Sequence, residues 1–159
     1  MRSKRAPIRP ITPDPVYGSE QITKLINYSM YDGKRTVAER QVYAALEILE
    51  AKTKKKPLEA FAEVLEQVSP QMEVRSRRVG GAAYQVPMPV RPERALSLSI
   101  RWLVQEARKR PNSQFHTFAD KLAAEMLDSL SGQGGSINRR QTAHRMADAN
   151  KAFAHFARF

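Results

Sequence analysis

The sequence predicts a mainly α fold: about six helices in a single bundle-like domain, with a two-stranded β-ribbon between the third helix and the fourth. Three observations lead there. Apolar residues recur three and four apart over nearly the whole chain, the pattern of helices that bury one side. Between residues 72 and 90 the period drops to two on both sides of Gly80-Gly81, the pattern of a hairpin. At 159 residues the chain suits one hydrophobic core, since domains commonly hold about 100–150 residues.

Residues 1–15 carry Arg2, Lys4, Arg5 and Arg9, no acid before Asp14, and prolines at 7, 10, 13 and 15. Proline at that density excludes helix, and there is little apolar surface to bury. An extended basic arm is expected, disordered alone and ordered on a polyanion, ahead of a domain spanning 16–159. Ser19 can cap a first helix in which Ile22, Leu25, Ile26 and Met30 form one stripe, with Gly33 supplying the left-handed residue that ends it. Thr36 and Glu39 have capping-box spacing for a second helix. Its apolar face is Ala38, Val42, Ala45, Leu46 and Leu49, and it runs to about Ala51. Lys52, Lys54, Lys55 and Lys56 lead into Pro57, which suits a helical first turn. Leu58, Phe61, Leu65 and Val68 then face inward, Glu59, Glu63 and Glu66 share another side, and Ser69-Pro70 closes the third helix.

In the ribbon, Met72, Val74 and Ser76 share one parity, as do Tyr84, Val86, Met88 and Val90. Taken together as one apolar face, they put Arg75 and Arg77 on the other. Pro87 and Pro89, two apart, lack N–H donors on the same edge, which is tolerated only where that edge has no partner strand. A projecting, arginine-bearing ribbon is the expectation, and an ordinary surface hairpin with solvated arginines is the plain alternative. Pro92 opens a fourth helix that is apolar over much of its circumference and therefore central. It finishes in Arg108-Lys109-Arg110, cations favoured by the helix dipole, before Pro111-Asn112-Ser113 breaks the chain. Phe115, Phe118, Leu122, Met126 and Leu130 support a fifth helix ended by Gly132. Gly134-Gly135 reads as a flexible joint before a sixth, where Asn138 and Gln141 have capping-box spacing and Met146, Phe153 and Phe156 recur at helical intervals.

Charge narrows the function. Lys and Arg number 27 against 16 Asp and Glu, a net +11 with a pI of about 10.3, so a polyanion is the natural partner and nucleic acid its leading form. No run approaches the roughly 18 apolar residues of a membrane span, and the basic amino end lacks an apolar signal core, so a soluble, intracellular protein with no membrane partner is expected. Without cysteine there are no disulfides, thiolate metal sites or thiol nucleophile. His144 and His155, eleven apart on an expected helix, share a face but have no third ligand, so no metal site is assigned. Gly80-Gly81 and the glycines at 132, 134 and 135 lack the context of a phosphate loop, so no cofactor is assigned. The three glutamates of the third helix suit a solvated face better than an acid–base pair, and no catalytic residue is assigned.

From residue 75 to 110 nine cations (Arg75, Arg77, Arg78, Arg91, Arg94, Arg101, Arg108, Lys109 and Arg110) face two acids, Glu93 and Glu106, a net +7. The planar arginine fork suits phosphate oxygens and base stacking. RNA fits better than duplex DNA, because arms and ribbons enter irregular RNA by shape and no helix-turn-helix, finger or zipper pattern is present. Tyr84 has two readings, a base-stacking ring or packing against the ribbon's own apolar face. A nucleoid-type DNA binder and an RNA-modifying enzyme stand as alternatives; the second requires a cofactor loop or catalytic cluster that the sequence does not display.

Four segments in order also resemble one family. Asp14-Pro15 with Tyr17-Gly18-Ser19, Asp32-Gly33-Lys34, Val74-Arg75-Ser76-Arg77-Arg78-Val79-Gly80-Gly81 with Tyr84-Gln85-Val86-Pro87, and His144-Arg145-Met146-Ala147 with residues 149–155 are similar to ribosomal protein number seven of the small subunit, of bacterial or organellar type. The resemblance runs from about residue 14 to 156. Pro89 and the length of the 111–118 loop depart from it. It implies a non-enzymatic protein seated in the head of the small subunit, in the cytoplasm of a bacterium or in an organelle. There it binds small-subunit rRNA, nucleates the 3′ major domain, and is able to repress its own message. Lys34 and Arg35, within the matching Asp-Gly-Lys turn, together with the residues of the basic arm, Arg2, Lys4, Arg5 and Arg9, are the first candidates for rRNA phosphates. Arg75, Arg77, Arg78, Arg91, Arg94, Arg108, Lys109 and Arg110 follow. The tip Val79, Gly80, Gly81, Ala82, Ala83 and Tyr84 would approach exit-site tRNA, and the carboxyl end would approach mRNA and a neighbouring small-subunit protein.

Overall fold

The computed structural model describes residues 10–158; the arm cations Arg2, Lys4, Arg5 and Arg9 lie outside the described residues. The order of elements is α1 (Glu20–Ser29), α2 (Arg35–Thr53), α3 (Pro57–Val68), β1 (Met72–Val79), β2 (Ala82–Pro89), α4 (Pro92–Lys109), α5 (Phe118–Leu130) and α6 (Gly135–Ala149). A 3₁₀ segment, Lys151–Arg158, follows. The mainly α class with a hairpin between α3 and α4 is thus as expected.

Local chemistry sets the boundaries. Pro57 and Pro92 occupy first turns, where a missing N–H leaves no helical bond unmade. α5 begins on a capping box: the Thr117 hydroxyl accepts from Asp120 N at 3.1 Å and the Asp120 carboxylate accepts from Thr117 N at 3.2 Å. The two boxes expected elsewhere do not form. Asp32 and Gly33 both take positive φ, 51° and 72°, and reverse the chain so tightly that α2 has begun by Arg35. Thr36 then lies inside the helix and Glu39 pairs with Arg35 at 2.8 Å. Asn138 likewise lies inside α6. Ser19 holds the N-cap position of α1, but its side chain makes no capping bond.

Gly134-Gly135 is a close approach rather than a flexible joint. A Cβ on Gly135 would stand 2.7 Å from a Glu106 carboxylate oxygen, and one on Gly134 3.1 Å from a Glu125 oxygen. Two bare residues let the positive end of α6 settle onto acids of α4 and α5. Ser136 N and Oγ donate to Glu125 Oε1 at 2.8 and 2.6 Å.

One apolar cluster joins all six α-helices, from Ile22, Leu25 and Ile26 of α1 through Leu46 and Leu49, Phe61 and Val64, Ile100 and Leu103, and Leu122 and Met126 to Ile137. α4 packs on α1, α3, α5 and α6, while α5 packs on α2, α3, α4 and α6, so the centre is shared between them. In α3 the inward positions are Ala60, Phe61, Val64, Leu65 and Val68; Leu58, expected to face in, is 39% exposed at the first turn. The entry to the bundle is fastened by Asp14, which is buried. Its carboxylate accepts from Val16 N and Tyr17 N at 3.2 and 3.0 Å and from Tyr43 Oη of α2 at 2.6 Å. Burial and that bond push the Tyr43 phenol well above its usual pKa. The Asp-Pro-x-Tyr-Gly-Ser motif is therefore, in part, an anchor that seats the start of α1.

The helical period of Met146, Phe153 and Phe156 does not continue as one helix. α6 ends at Ala149, and the tail turns back on the ribbon. His144 and His155 consequently share no helix face. His144 Nε2 accepts from Gln71 N at 3.0 Å, and His155 Nδ1 lies 2.9 Å from Ala152 O.

Candidate nucleic-acid interface

The hairpin turns on Gly80 and Gly81, with φ of 58° and 87°, the backbone of a two-residue turn. No heavy atom lies within 4 Å of either missing Cβ. These glycines answer to backbone conformation and leave the tip slim. Two central residues make every pair of facing residues opposite in parity: Val74 faces Pro87, Arg75 faces Val86, Ser76 faces Gln85 and Arg77 faces Tyr84. Facing residues lie on one side of a sheet, so the two apolar sets occupy opposite faces. Arg75 and Arg77 consequently share a face with Val86 and Tyr84, which corrects the expectation of an apolar face opposite an arginine face. Val90 N donates to Gln71 O at 2.9 Å, so Pro87 and Pro89 sit in the alternate, non-hydrogen-bonded register, their ring nitrogens on the outer edge of a two-stranded sheet.

The ribbon does not stand alone. Tyr84 packs on Phe153 and Phe156 of the 3₁₀ segment, with ring centroids 5.4 and 4.9 Å apart. Neither reading of Tyr84 from sequence is met, since its aromatic partners come from seventy residues later in the chain. Val86 is fully buried outside the main core cluster. At the base of the ribbon, Glu73 pairs with Arg75 and, at 3.4 Å, with Arg94 Nε of α4. Arg77 is half-buried, Arg78 is exposed near the tip, and Arg91 is exposed at the start of α4.

A second basic region lies at the turn between α1 and α2. Lys34 is 3.9 Å from Asp32 with both side chains largely in solvent, and Arg35 is held along α2 by Glu39. The third group, at the end of α4, is spent differently. Arg110 is 17% exposed at its side chain and bonds both Glu125, at 2.7 Å, and Asp128. Desolvation works against its charge, but the hydrogen bonds it donates to Asp128 and Glu125 outweigh it, and its pKa moves up. Lys109 pairs with Glu106 at 2.7 Å, and Glu106 also takes Arg139 at 2.9 Å. Arg108 donates to Ser29 O at 3.2 Å and lies 3.9 Å from the centre of the Tyr31 ring.

The arrangement offers exposed cations on a slim ribbon and on a helix-connecting turn. Among the described residues no group of three His, Asp or Glu is placed to hold a metal ion, and no helix is long and apolar enough to cross a membrane.

Comparison with known proteins agrees over the same span. The family model for ribosomal protein S7p/S5e matches residues 1–151. Small ribosomal subunit protein uS7 of Nautilia profundicola is 54% identical over 156 residues, covering 98% of this chain and 99% of that protein. The proteins of the same name from Desulfovibrio desulfuricans and Sulfurimonas denitrificans are 52% and 49% identical, over 98% of this chain in each case and 97% and 99% of those proteins. A match of that length and identity leaves one assignment: the chain belongs to the ribosomal protein S7p/S5e family.

Proposed function

We propose that this protein is a structural, non-enzymatic component of the small ribosomal subunit that binds small-subunit rRNA by charge neutralisation and shape capture. The observation that carries the reading is the pairing of membership of the S7p/S5e family, matched over residues 1–151, with cations placed where no core uses them, Lys34 at its turn and Arg78 on the ribbon. Arginine forks and lysines on protruding backbone suit the phosphates of irregular RNA.

In finer detail, the exposed cations Lys34, Arg35, Arg75, Arg78, Arg91 and Arg94, with Arg77 and the arm residues Arg2, Lys4, Arg5 and Arg9, contact rRNA and nucleate the 3′ major domain of the subunit head. Arg110, 17% exposed and held by Glu125 and Asp128, and Arg108, bonded to Ser29 O, act mainly through the fold, whereas Lys109, 59% exposed beside Glu106, stays with the exposed cations as an rRNA candidate. The tip at 79–84 approaches exit-site tRNA; its two glycines and two exposed alanines favour close backbone approach over affinity. The carboxyl end, stacked on the ribbon, approaches mRNA and a neighbouring small-subunit protein. Repression of its own message follows from the same RNA-binding surface.

The experiment is sedimentation of the tagged protein with ribosomal subunits on sucrose gradients. Replacing Arg75, Arg77 and Arg78 by Ala is expected to reduce assembly. Shortening the tip is expected to leave assembly intact and to disturb tRNA retention or frame maintenance, read by a frameshift reporter. A tip deletion that blocks head assembly, or that changes neither readout, sinks this division of labour.

A further inference from the structure

Beside the turn between α1 and α2 is a cleft of about 240 Å³, walled by α2, the end of α4 and the start of α5. That is somewhat below the roughly 300–1,000 Å³ of pockets that enclose whole drug-sized ligands, so it suits one planar ring system. Its walls are apolar and aromatic: Val37 and Phe118 line it, and Val37 is 55% exposed. The Tyr31 ring is covered by the Arg108 guanidinium at 3.9 Å, yet the residue remains 63% exposed, so much of the ring is open to a stacking partner. Ser29 lines the cleft at 7% exposure, and its hydroxyl is the one buried side-chain polar atom that lacks a hydrogen-bond partner among the described residues. Such an orphan is costly unless a ligand satisfies it. Gln41 also lines the cleft. Its carbonyl oxygen is held by Ala119 N at 3.0 Å, which leaves its N–H groups to offer.

We infer that this cleft receives a single unstacked base of the bound RNA, a reading that rests on the rRNA-binding function proposed above. The charges select the base over the phosphate. Asp32 and Lys34 both stand on the lip, 3.9 Å apart. An anion inside would meet the carboxylate, whereas a neutral ring can enter with its phosphate left outside on Lys34. Stacking on Tyr31, extended by the Arg108 plane, supplies most of the attraction, and hydrogen bonds to the Ser29 hydroxyl and the Gln41 amide supply orientation.

The test uses the full chain and a transcript of the 3′ major domain of small-subunit rRNA, with affinity measured across a salt series. Tyr31→Ala should weaken binding by about 5- to 100-fold, the scale of one base–aromatic stack, with no change in the log–log salt slope; Tyr31→Phe should stay near wild type. Ser29→Ala should weaken binding by about 2- to 10-fold, the net scale of one hydrogen bond, while melting temperature holds or rises because a buried orphan is removed. The base slot is overturned if Tyr31→Ala binds within twofold of wild type. It is equally overturned if the loss comes with a slope shallower by about one, which marks a phosphate contact, or if naked-rRNA affinity holds while only entry into complete subunits fails, which marks a protein occupant. Failure of the wild-type chain to bind the transcript would instead refute the rRNA-binding reading itself.

Discussion

Two runs of cations, dense alike in sequence, meet opposite fates. Arg75, Arg77 and Arg78 lie on a two-stranded ribbon, where each residue has only the facing strand and whatever packs on one side. Arg108, Lys109 and Arg110 end a helix that lies against the acids of α5 and the amino end of α6. The first run keeps Arg78 in solvent and Arg75 more than half exposed beside Glu73, with Arg77 half-buried; in the second, Arg110 is taken by Glu125 and Asp128 and Arg108 by backbone carbonyls, while Lys109 pairs with Glu106 at the surface. A dense basic run in the sequence therefore does not by itself say how many of its charges the fold leaves in solvent.

The largest break in that comparison is Arg110→Ala. It strands the Glu125 carboxylate, 2% exposed at its side chain, with Ser136 as its remaining hydrogen-bond partner among the described residues. Removing one member of a buried pair costs about 3–5 kcal/mol. Denaturant unfolding should show that loss with an unchanged m value, while the salt slope of rRNA binding by the folded variant stays at wild type. A shallower slope would return Arg110 to the RNA surface.

Deleting residues 1–10 should do the reverse. With Arg2, Lys4, Arg5 and Arg9 gone, melting is expected to be unchanged and the log–log salt slope shallower by about 3–4, at roughly 0.7–0.9 per phosphate contact. The ribbon triple Arg75, Arg77 and Arg78 to Ala should make the slope shallower by about 2–3 on the same scale, again with little effect on melting. A ribbon triple that unfolds the protein, or leaves the slope untouched, would erase the contrast with the α4 end.

Smaller still is an acid effect at the α4 end. Burial raises the Glu106 pKa, but Lys109 and Arg139 outweigh it, and the carboxyl is held below the ordinary 4.5. A depressed folded-state pKa adds stability that is present above the unfolded value and lost as pH falls through the folded one. Wild-type stability should therefore decline below about pH 4.5 more steeply than that of Glu106→Gln, in parallel unfolding curves. Changing Glu59, Glu63 and Glu66 to Gln, which releases only the surface pairs of Glu59 with Lys56 and Glu63 with Lys55 seen among the described residues, should move rRNA affinity by less than about tenfold, or 1.4 kcal/mol.

Much of this was legible in the chain, because it depends on neighbours a few residues apart. The prolines at 57 and 92, the apolar periods and the Gly80-Gly81 turn place each helix and the hairpin without reference to anything distant. Ribbon parity belongs here too, since a two-residue turn alone makes facing residues opposite in parity, and the single arginine-free face assumed from the sequence disregards that rule. Three things were decided only by tertiary structure. Asp14 seats the entry through Tyr43, Tyr84 is claimed by Phe153 and Phe156, and Arg110 is taken by Glu125 and Asp128. Each joins residues 15 to 72 positions apart by burial or charge pairing, and local pattern carries no term for which of many aromatics or acids will arrive. Backbone preference and period are short-range and written in the chain, whereas the fate of a charge or a ring depends on what the packed helices bring beside it.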